Sequence, residues 1–266
     1  MIAQDLPTNF RKWSSEALWW VKNTVTYSPP PVKWPLRSTR HMERFLSSAD
    51  RMRAKELAQR YDISRWLESC NRWEYIENLY LLDVLDRYVK STATDTCLDI
   101  GAKSWSYLPA LHSFTQTGWD GVELDCYQRH WNMVTRRAYA EYISRHYQGS
   151  RYIPGSLLEI RNEYDFITWI LPFVSPGPLE QWGLPARYYQ PAQLLQHAWE
   201  QLKPGGSIFI INQGEKEGIR QRELFAEAKI SARYLGSITS RFSPFVQMRV
   251  GWLARKPDRK NGLSKR

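Results

Sequence analysis

Cysteine is scarce in this 266-residue chain, and the three present, Cys70, Cys97 and Cys126, are scattered and odd in number. No CxxC pair and no metal-ligand spacing occurs, which argues against a disulfide framework and a zinc site. The cysteines read as small core residues of a protein in a reducing, cytoplasmic setting. Long apolar runs are missing as well. The longest, FITWILPFV from Phe166, has nine residues, against the roughly 20 a bilayer-spanning helix needs, so no membrane partner is expected. The first residues lack the basic-then-apolar pattern of a secretory leader. A GxGxxG fingerprint is absent, which argues against a nicotinamide cofactor. None of the five histidines has triad or metal spacing, so no general base is assigned and the catalytic residue stays unknown.

What is abundant is aromatic. Phe, Trp and Tyr make up 14% of the chain, with 13 tryptophans, and hydrophobic residues make up 42%; this is a chain that can bury a core, not a disordered one. The net charge is +10, unevenly placed. Residues 1–92 carry a net +4, residues 93–254 a net +1, and the last twelve residues, RKPDRKNGLSKR, a net +5. A nearly neutral central region weakens a nucleic-acid reading based on overall charge, because such binding needs basic residues clustered on folded surface.

Along the chain, residues 1–35 read as irregular, with YSPPPVKWP as an extended connector. A basic helix is expected from Arg40 to Tyr61, with Met42, Phe45, Leu46, Ala49 and Met52 on one face. A second follows in NRWEYIENLYLLDVLDRYVK, where Asn71 and Glu74 form a capping-box pattern and Trp73, Ile76, Leu79, Leu82, Leu85 and Val89 a stripe. Strands and helices then alternate: TCLDI, helix SYLPALHSFTQ, strand WDGVELD, a long helix CYQRHWNMVTRRAYAEYISRHY, a strand near Tyr152, strand YDFITWILPFV, helix PAQLLQHAWEQL, a turn at KPGG and strand SIFIINQ. A helix around Leu224 precedes two strands, ARYLGSI and VQMRVGWLA, with Val246, Met248, Val250 and Trp252 alternating. The pattern predicts an α/β three-layer sandwich with a seven-stranded, mostly parallel sheet and a C-terminal antiparallel hairpin, plus an N-terminal helical extension. The expected divisions are 1–92, 93–256 and a basic tail 257–266.

In an open α/β sheet, ligands bind beyond the carboxyl ends of the strands, where the strand order reverses. Asp99 and Gly101 end the first strand. Glu123 ends the second, where a carboxylate can accept hydrogen bonds from ribose hydroxyls. Gly155-Ser156-Leu157 follows the third, placed to meet an adenine edge.

The pieces LDIGAKSW, GVELD, YIPGSLLEI, YDFITWILPF and HAWEQLKPGGSIFIINQ, with the terminal hairpin, resemble the class I S-adenosylmethionine (SAM)-dependent methyltransferases over about residues 93–254. The resemblance implies SAM as cofactor, with Asp99, Gly101, Ala102 and Lys103 toward its methionine part, Glu123 and Leu124 at the ribose, Ser156 and Leu157 bordering adenine and Trp169 completing the pocket. Pro172 and Phe173 would wall the methyl acceptor. The chain departs from the family's acid-x-Gly-x-Gly-x-Gly loop, reading Asp99-x-Gly101-x-Lys103-x-Trp105. SAM has no pyrophosphate, so the loop need not press bare amides on phosphate oxygens, and Lys103 is read as pairing with the SAM carboxylate. Trp105 reads as core packing before a pocket cap. Ile170 stands where amino-directed members carry Asn or Asp, and its side chain accepts no hydrogen bond. The expected activity is methyl transfer to a small or medium-sized metabolite, with RNA second on account of the basic N-terminal helix and tail; the alternative is a non-catalytic SAM-binding protein.

Overall fold

The computed structural model describes residues 8–32, 46–89 and 94–258. Seven strands form one sheet: β1 (Cys97–Ile100), β2 (Trp119–Glu123), β3 (Arg151–Pro154), β4 (Tyr164–Ile170), β5 (Leu202–Gln213), β6 (Ala232–Ser237) and β7 (Arg249–Arg255). Their spatial order is β3-β2-β1-β4-β5-β7-β6. β1 pairs in parallel with β2 and β4, β2 with β3, and β4 with β5. β7 runs antiparallel to both β5 and β6.

The two-residue period of the strands sorts the core into two layers. Cys97, Phe166, Phe209 and Ile211 face one way, into a cluster with Leu79, Leu82, Leu85, Leu108 and Leu111. Leu98, Ile100, Val122, Ile167, Trp169, Ile208 and Ile210 face the other, with Leu195, Ala198, Leu224 and Phe225. The first layer is supplied by helices α3 (Arg72–Tyr88), α4 (Leu108–Thr115) and α5 (Arg136–Ser144), the second by α6 (Pro191–Glu200) and α7 (Gly214–Glu227). The expected three-layer sandwich is therefore present, and α3 shares a continuous core with the sheet.

Helix α3 has the predicted capping box: Asn71 accepts from the backbone N–H of Trp73 and Glu74, and Glu74 accepts from the N–H of Asn71 at 2.9 Å. Trp73 departs from the expected stripe and is 75% exposed; it sits in the first turn, ahead of where the helix enters the core. Asn78, fully buried, links α3 to α4. Its Nδ2 donates to the Glu74 and Ser106 carbonyls and its Oδ1 accepts from Ala110 N–H at 2.7 Å, a shorter bond than the 3.2 Å one the same N–H makes to the Tyr107 carbonyl in the first turn of α4.

Several expectations are corrected. Residues 1–35 are not irregular throughout, because α1 spans Thr8–Thr24. That span contains neither Gly nor Pro; the prolines that suggested irregularity lie outside it. Trp19 packs on Tyr188, with ring centres 4.9 Å apart. Of the basic helix expected from Arg40 to Tyr61, the described part is α2 (Ser48–Arg60), capped by Ser47. Met42 and Phe45 lie outside the described residues, and Met52 faces solvent rather than the core. The long helix expected from Cys126 is helical only at α5. Residues 126–135 instead fold back, with Arg129 and Thr135 bridged and Met133 at φ +66°, and Thr135 caps α5 by accepting from Ala138 N–H. The KPGG segment is not a separate turn but the start of β5, with an irregularity between Tyr164 and Phe166 on its partner strand; Gly205, at φ +78°, donates to the Lys256 carbonyl. Val246 and Met248 precede β7 and are exposed.

Candidate functional site

The loop after β1 keeps a glycine-like backbone although two expected glycines are missing. Gly101, Lys103 and Trp105 all have left-handed φ angles, +75°, +52° and +54°. A non-glycine residue in that region costs about 1–2 kcal/mol, so the surroundings must hold it there. Trp105 is held by packing: its indole is wholly buried and lies over Gly121 on β2, where a Cβ would stand 2.5 Å from the ring. Gly121 is therefore the seat that admits the tryptophan. Lys103 is held by its backbone. Its N–H donates to Glu123 Oε2 at 2.8 Å, and its carbonyl accepts from Tyr152 Oη at 2.8 Å.

Glu123, at the tip of β2, organises this region. It is 7% exposed, and its other oxygen, Oε1, accepts from Asp125 N–H at 2.7 Å. The Arg136 guanidinium lies 3.7 Å from Glu123 and 3.2 Å from Asp125. Lys22 of α1 reaches the other oxygen of Asp125, Oδ1, at 3.2 Å. Burial nevertheless pushes the Asp125 carboxyl up, with the two cations opposing.

Two cavities open over the carboxyl ends of the strands. The first, about 410 Å³, is lined by Gly101, Lys103, Glu123, Leu124, Ser156, Leu157, Trp169, Pro172 and Phe173 among others. Nine of the eleven residues singled out from sequence thus meet around one space, and Pro172 and Phe173, expected beside the acceptor, lie in the same walls as Glu123 and Leu157. Its roof carries Trp182, whose ring lies 5.1 Å from Lys103 Nζ and 4.6 Å from the Arg136 guanidinium. The Lys103 ammonium is thus stacked on an aromatic face. Burial first, then the Arg136 charge, hold its pKa below the ordinary lysine value.

The second cavity, about 480 Å³, lies over the opposite layer. It is lined by Glu74, Glu77, Tyr80, Tyr107, Ser104, His130, Tyr139, Phe245 and Arg249, with Ile211 at its base. Lys103, Ile170 and Leu171 line both cavities. The junction therefore falls between β1 and β4, where the strand order reverses, as open α/β sheets place their ligands.

The remaining two sequence candidates, Asp99 and Ala102, line neither cavity and are fully buried. Asp99 points into the α3–α4 layer, where Oδ1 accepts from Thr168 Oγ1 at 2.7 Å on the neighbouring strand. Its Oδ2 has no hydrogen-bond partner, and desolvation raises its pKa to about 7, against smaller lowering by Thr168, Tyr107 and Trp105.

Sequence reasoning did not single out Arg136, Trp182, Glu74 and Glu77 as pocket residues, nor His130, Tyr80 and Arg249. Glu74 was read only as half of a cap. Glu77, one helical turn further, shares its face. His130 stands 2.7 Å from Ser104 Oγ through Nε2, a pairing between residues 26 apart that no local spacing announces. Among the described residues, no group of His, Cys, Asp and Glu is arranged to hold a metal ion, and no helix is long and apolar enough to cross a membrane.

No protein-family model matches the sequence, and no curated protein matches it. Solved structures do. A methyltransferase from Pyrococcus furiosus is 16% identical, with a TM-score of 0.49 over 68% of this chain and 83% of that one. A SAM-dependent methyltransferase from Aquifex aeolicus is 16% identical, with a TM-score of 0.47 over 67% and 92%. Fibrillarin from Aeropyrum pernix, with natively bound SAM, is 12% identical, with a TM-score of 0.46 over 68% and 76%. The sheet itself runs 3-2-1-4-5-7-6, with β7 alone reversed.

Proposed function

We propose that this chain is a SAM-dependent methyltransferase, with the adenosine part of the donor in the 410 Å³ cavity and the acceptor in the 480 Å³ cavity beside it. The observation that carries the reading is Glu123: a carboxylate at the tip of β2, in the wall of an apolar cleft, at the place where the strand order reverses. The residues fit the donor. Each carboxylate oxygen of Glu123 takes one backbone N–H, which leaves a second acceptor site on each for a ribose hydroxyl. Leu124, Leu157 and Trp169 offer apolar walls for adenine. Nothing stands within 4 Å of where a Gly101 Cβ would be, so a ligand can approach that backbone.

SAM, when bound, supplies a methyl group already activated by its sulfonium. The protein's share is to align and to exclude water. Glu74 and Glu77 bring negative charge toward a cationic donor from the α3 side. Lys103 lines both cavities, with its ammonium stacked on Trp182 in the roof of the donor cavity. Ile170 and Leu171 form an apolar wall at the junction, and the His130–Ser104 pair stands in the acceptor cavity, where Nε2 is placed to take a proton from an acceptor hydroxyl through Ser104. A cavity within the roughly 300–1,000 Å³ range of small-molecule sites, walled by tyrosines, favours a metabolite over RNA as acceptor.

Isothermal titration calorimetry with SAM and S-adenosylhomocysteine tests this. Both bind the wild-type chain, and Glu123→Ala weakens each at least tenfold. Thermal stabilisation follows, about 2.7 kcal/mol at a hundred times the dissociation constant. Absence of binding by either ligand at millimolar concentration refutes the proposal.

A further inference from the structure

Arg249, the first residue of β7, lines the acceptor cavity and is 7% exposed. Its Nη1 has no hydrogen-bond partner, and among the described residues it makes no ion pair. Its guanidinium sits 4.8 Å from the Phe245 ring centre. Tyr80 of α3, in the same cavity wall, is 5% exposed, and its Oη likewise has no partner. Phe245 stands edge-on to Tyr80 at 5.3 Å, so one ring covers both groups. Glu217 attracts Arg249 through space, but its carboxylate accepts from Gln213 N–H at 2.8 Å instead of meeting the guanidinium.

A buried cation without a counter-charge is expensive. Isolated charges are seldom found in protein interiors unless paired or satisfied by a ligand, and a buried donor left unmade costs about 1–3 kcal/mol. Desolvation here lowers the Arg249 pKa, yet guanidinium does not give up its proton in proteins. Among the described residues none supplies the counter-charge, and an anionic ligand would. Tyr80 Oη adds a neutral donor, and the planar guanidinium fork suits a carboxylate. The other walls are aromatic and apolar: Tyr107, Tyr139, Leu81 and Ile211.

We infer that the acceptor cavity is a carboxylate-recognition site, in which Arg249 and Tyr80 hold the acid group of an aromatic carboxylic acid under Phe245. This rests on the methyltransferase reading for its role as acceptor, but not for its binding chemistry. The acid and cation ends of the cavity then divide the labour. Glu74 and Glu77 face a cationic donor, and Arg249 anchors an anionic acceptor at the β5–β7 end, so the two charged molecules are drawn to different walls.

The test is calorimetry on the full chain with three probes of one shape: phenylacetate, phenylacetamide and phenethylamine, each with and without saturating S-adenosylhomocysteine. Phenylacetate binds at least tenfold more tightly than the amide, and the amine more weakly still. Arg249→Met abolishes the acid's advantage, Arg249→Lys restores part of it, and Tyr80→Phe weakens the acid severalfold while leaving the amide unchanged. S-adenosylhomocysteine affinity stays within twofold in all three variants. Equal affinity for acid and amide in the wild-type chain overturns the inference without any variant having to fold, and so does the absence of phenylacetate binding at about 10 mM, a level that already corresponds to very weak affinity. A tenfold loss of S-adenosylhomocysteine binding in Arg249→Met also overturns it, assigning the guanidinium to the donor's own carboxylate. Acid-over-amide discrimination in a chain that fails to bind S-adenosylhomocysteine upholds the anion site and refutes the methyltransferase reading alone.

Discussion

The sequence resemblance puts Asp99 toward the methionine part of SAM, and the structure gives it a different, measurable property. It is fully buried, keeps one hydrogen bond, from Thr168, and has its pKa raised from about 3.8 to about 7. Below pH 3.8 the carboxyl is protonated in both the folded and unfolded chain and contributes no pH dependence. Between 3.8 and 7 the unfolded chain has lost the proton while the folded chain retains it. The folded state then binds more protons, so stability falls as pH rises. Above 7 both are ionised and the loss is constant. Roughly three pH units at 1.36 kcal/mol each give about 4 kcal/mol in total. Asp99→Asn replaces the protonated carboxyl with a near-isostere that does not titrate and still accepts from Thr168 through Oδ1. The assay is urea unfolding of both chains at intervals from pH 5 to 8.5, taking the difference in free energy so that every other titrating group cancels. The variant matches the wild type near pH 5 and exceeds it by about 3 kcal/mol at pH 7.5. Parallel curves, within about 0.5 kcal/mol across that range, refute the raised pKa and with it the placement of the carboxyl in a dry core.

Two further substitutions test the scaffold beneath the cavities. Gly121→Ala puts a Cβ 2.5 Å from the Trp105 indole and lowers stability by about 1–3 kcal/mol; the loss is smaller in a Trp105→Phe background, and additive effects in the double variant refute the seat argument. Asn78→Ala leaves the Ser106 carbonyl and Ala110 N–H without their side-chain partner and lowers stability by about 2–4 kcal/mol in chemical unfolding, whereas a loss below about 0.5 kcal/mol shows that water replaces the side chain.

The alternation of apolar runs with turn residues made the sheet legible, because strands buried on both faces are written as short continuous runs such as CLDI and FITWI. The capping box at Asn71 and the reversed last strand were equally local signals. What was not legible depends on contacts between distant residues. Helix α1 is held by Trp19 against Tyr188 and by Lys22 against Asp125, partners more than a hundred positions away, so its own sequence says little about its place. The fold-back at residues 126–135 delays a helix that composition alone would start at Cys126. In the site, the residues at strand tips could be named because the fold places tips together. Arg249, Tyr80 and His130 come from a strand start, a helix and a loop, and their meeting is a property of the tertiary structure.

The loop after β1 keeps a left-handed backbone without the glycines that usually supply it. The family pattern puts glycine where the backbone must be left-handed, since glycine reaches that region without steric cost. Here Lys103 and Trp105 occupy it, and at about 1–2 kcal/mol per residue something must offset the strain. For Trp105 the offset is burial of a whole indole in a slot that exists only because residue 121 has no side chain. For Lys103 it is a charge-assisted hydrogen bond from its own N–H to Glu123, together with the stack on Trp182. Both compensations run to β2 or to the roof of the 410 Å³ cavity. The loop's shape therefore depends on the state of Glu123, and a residue that would bind ribose is also the residue that keeps the turn in place. Substituting Glu123 then loosens the pocket twice, by removing an acceptor and by releasing Lys103 to a relaxed backbone. An added glycine at position 103 relieves only the second effect, so Lys103→Gly recovers part of the stability lost in Glu123→Ala and little of the lost binding.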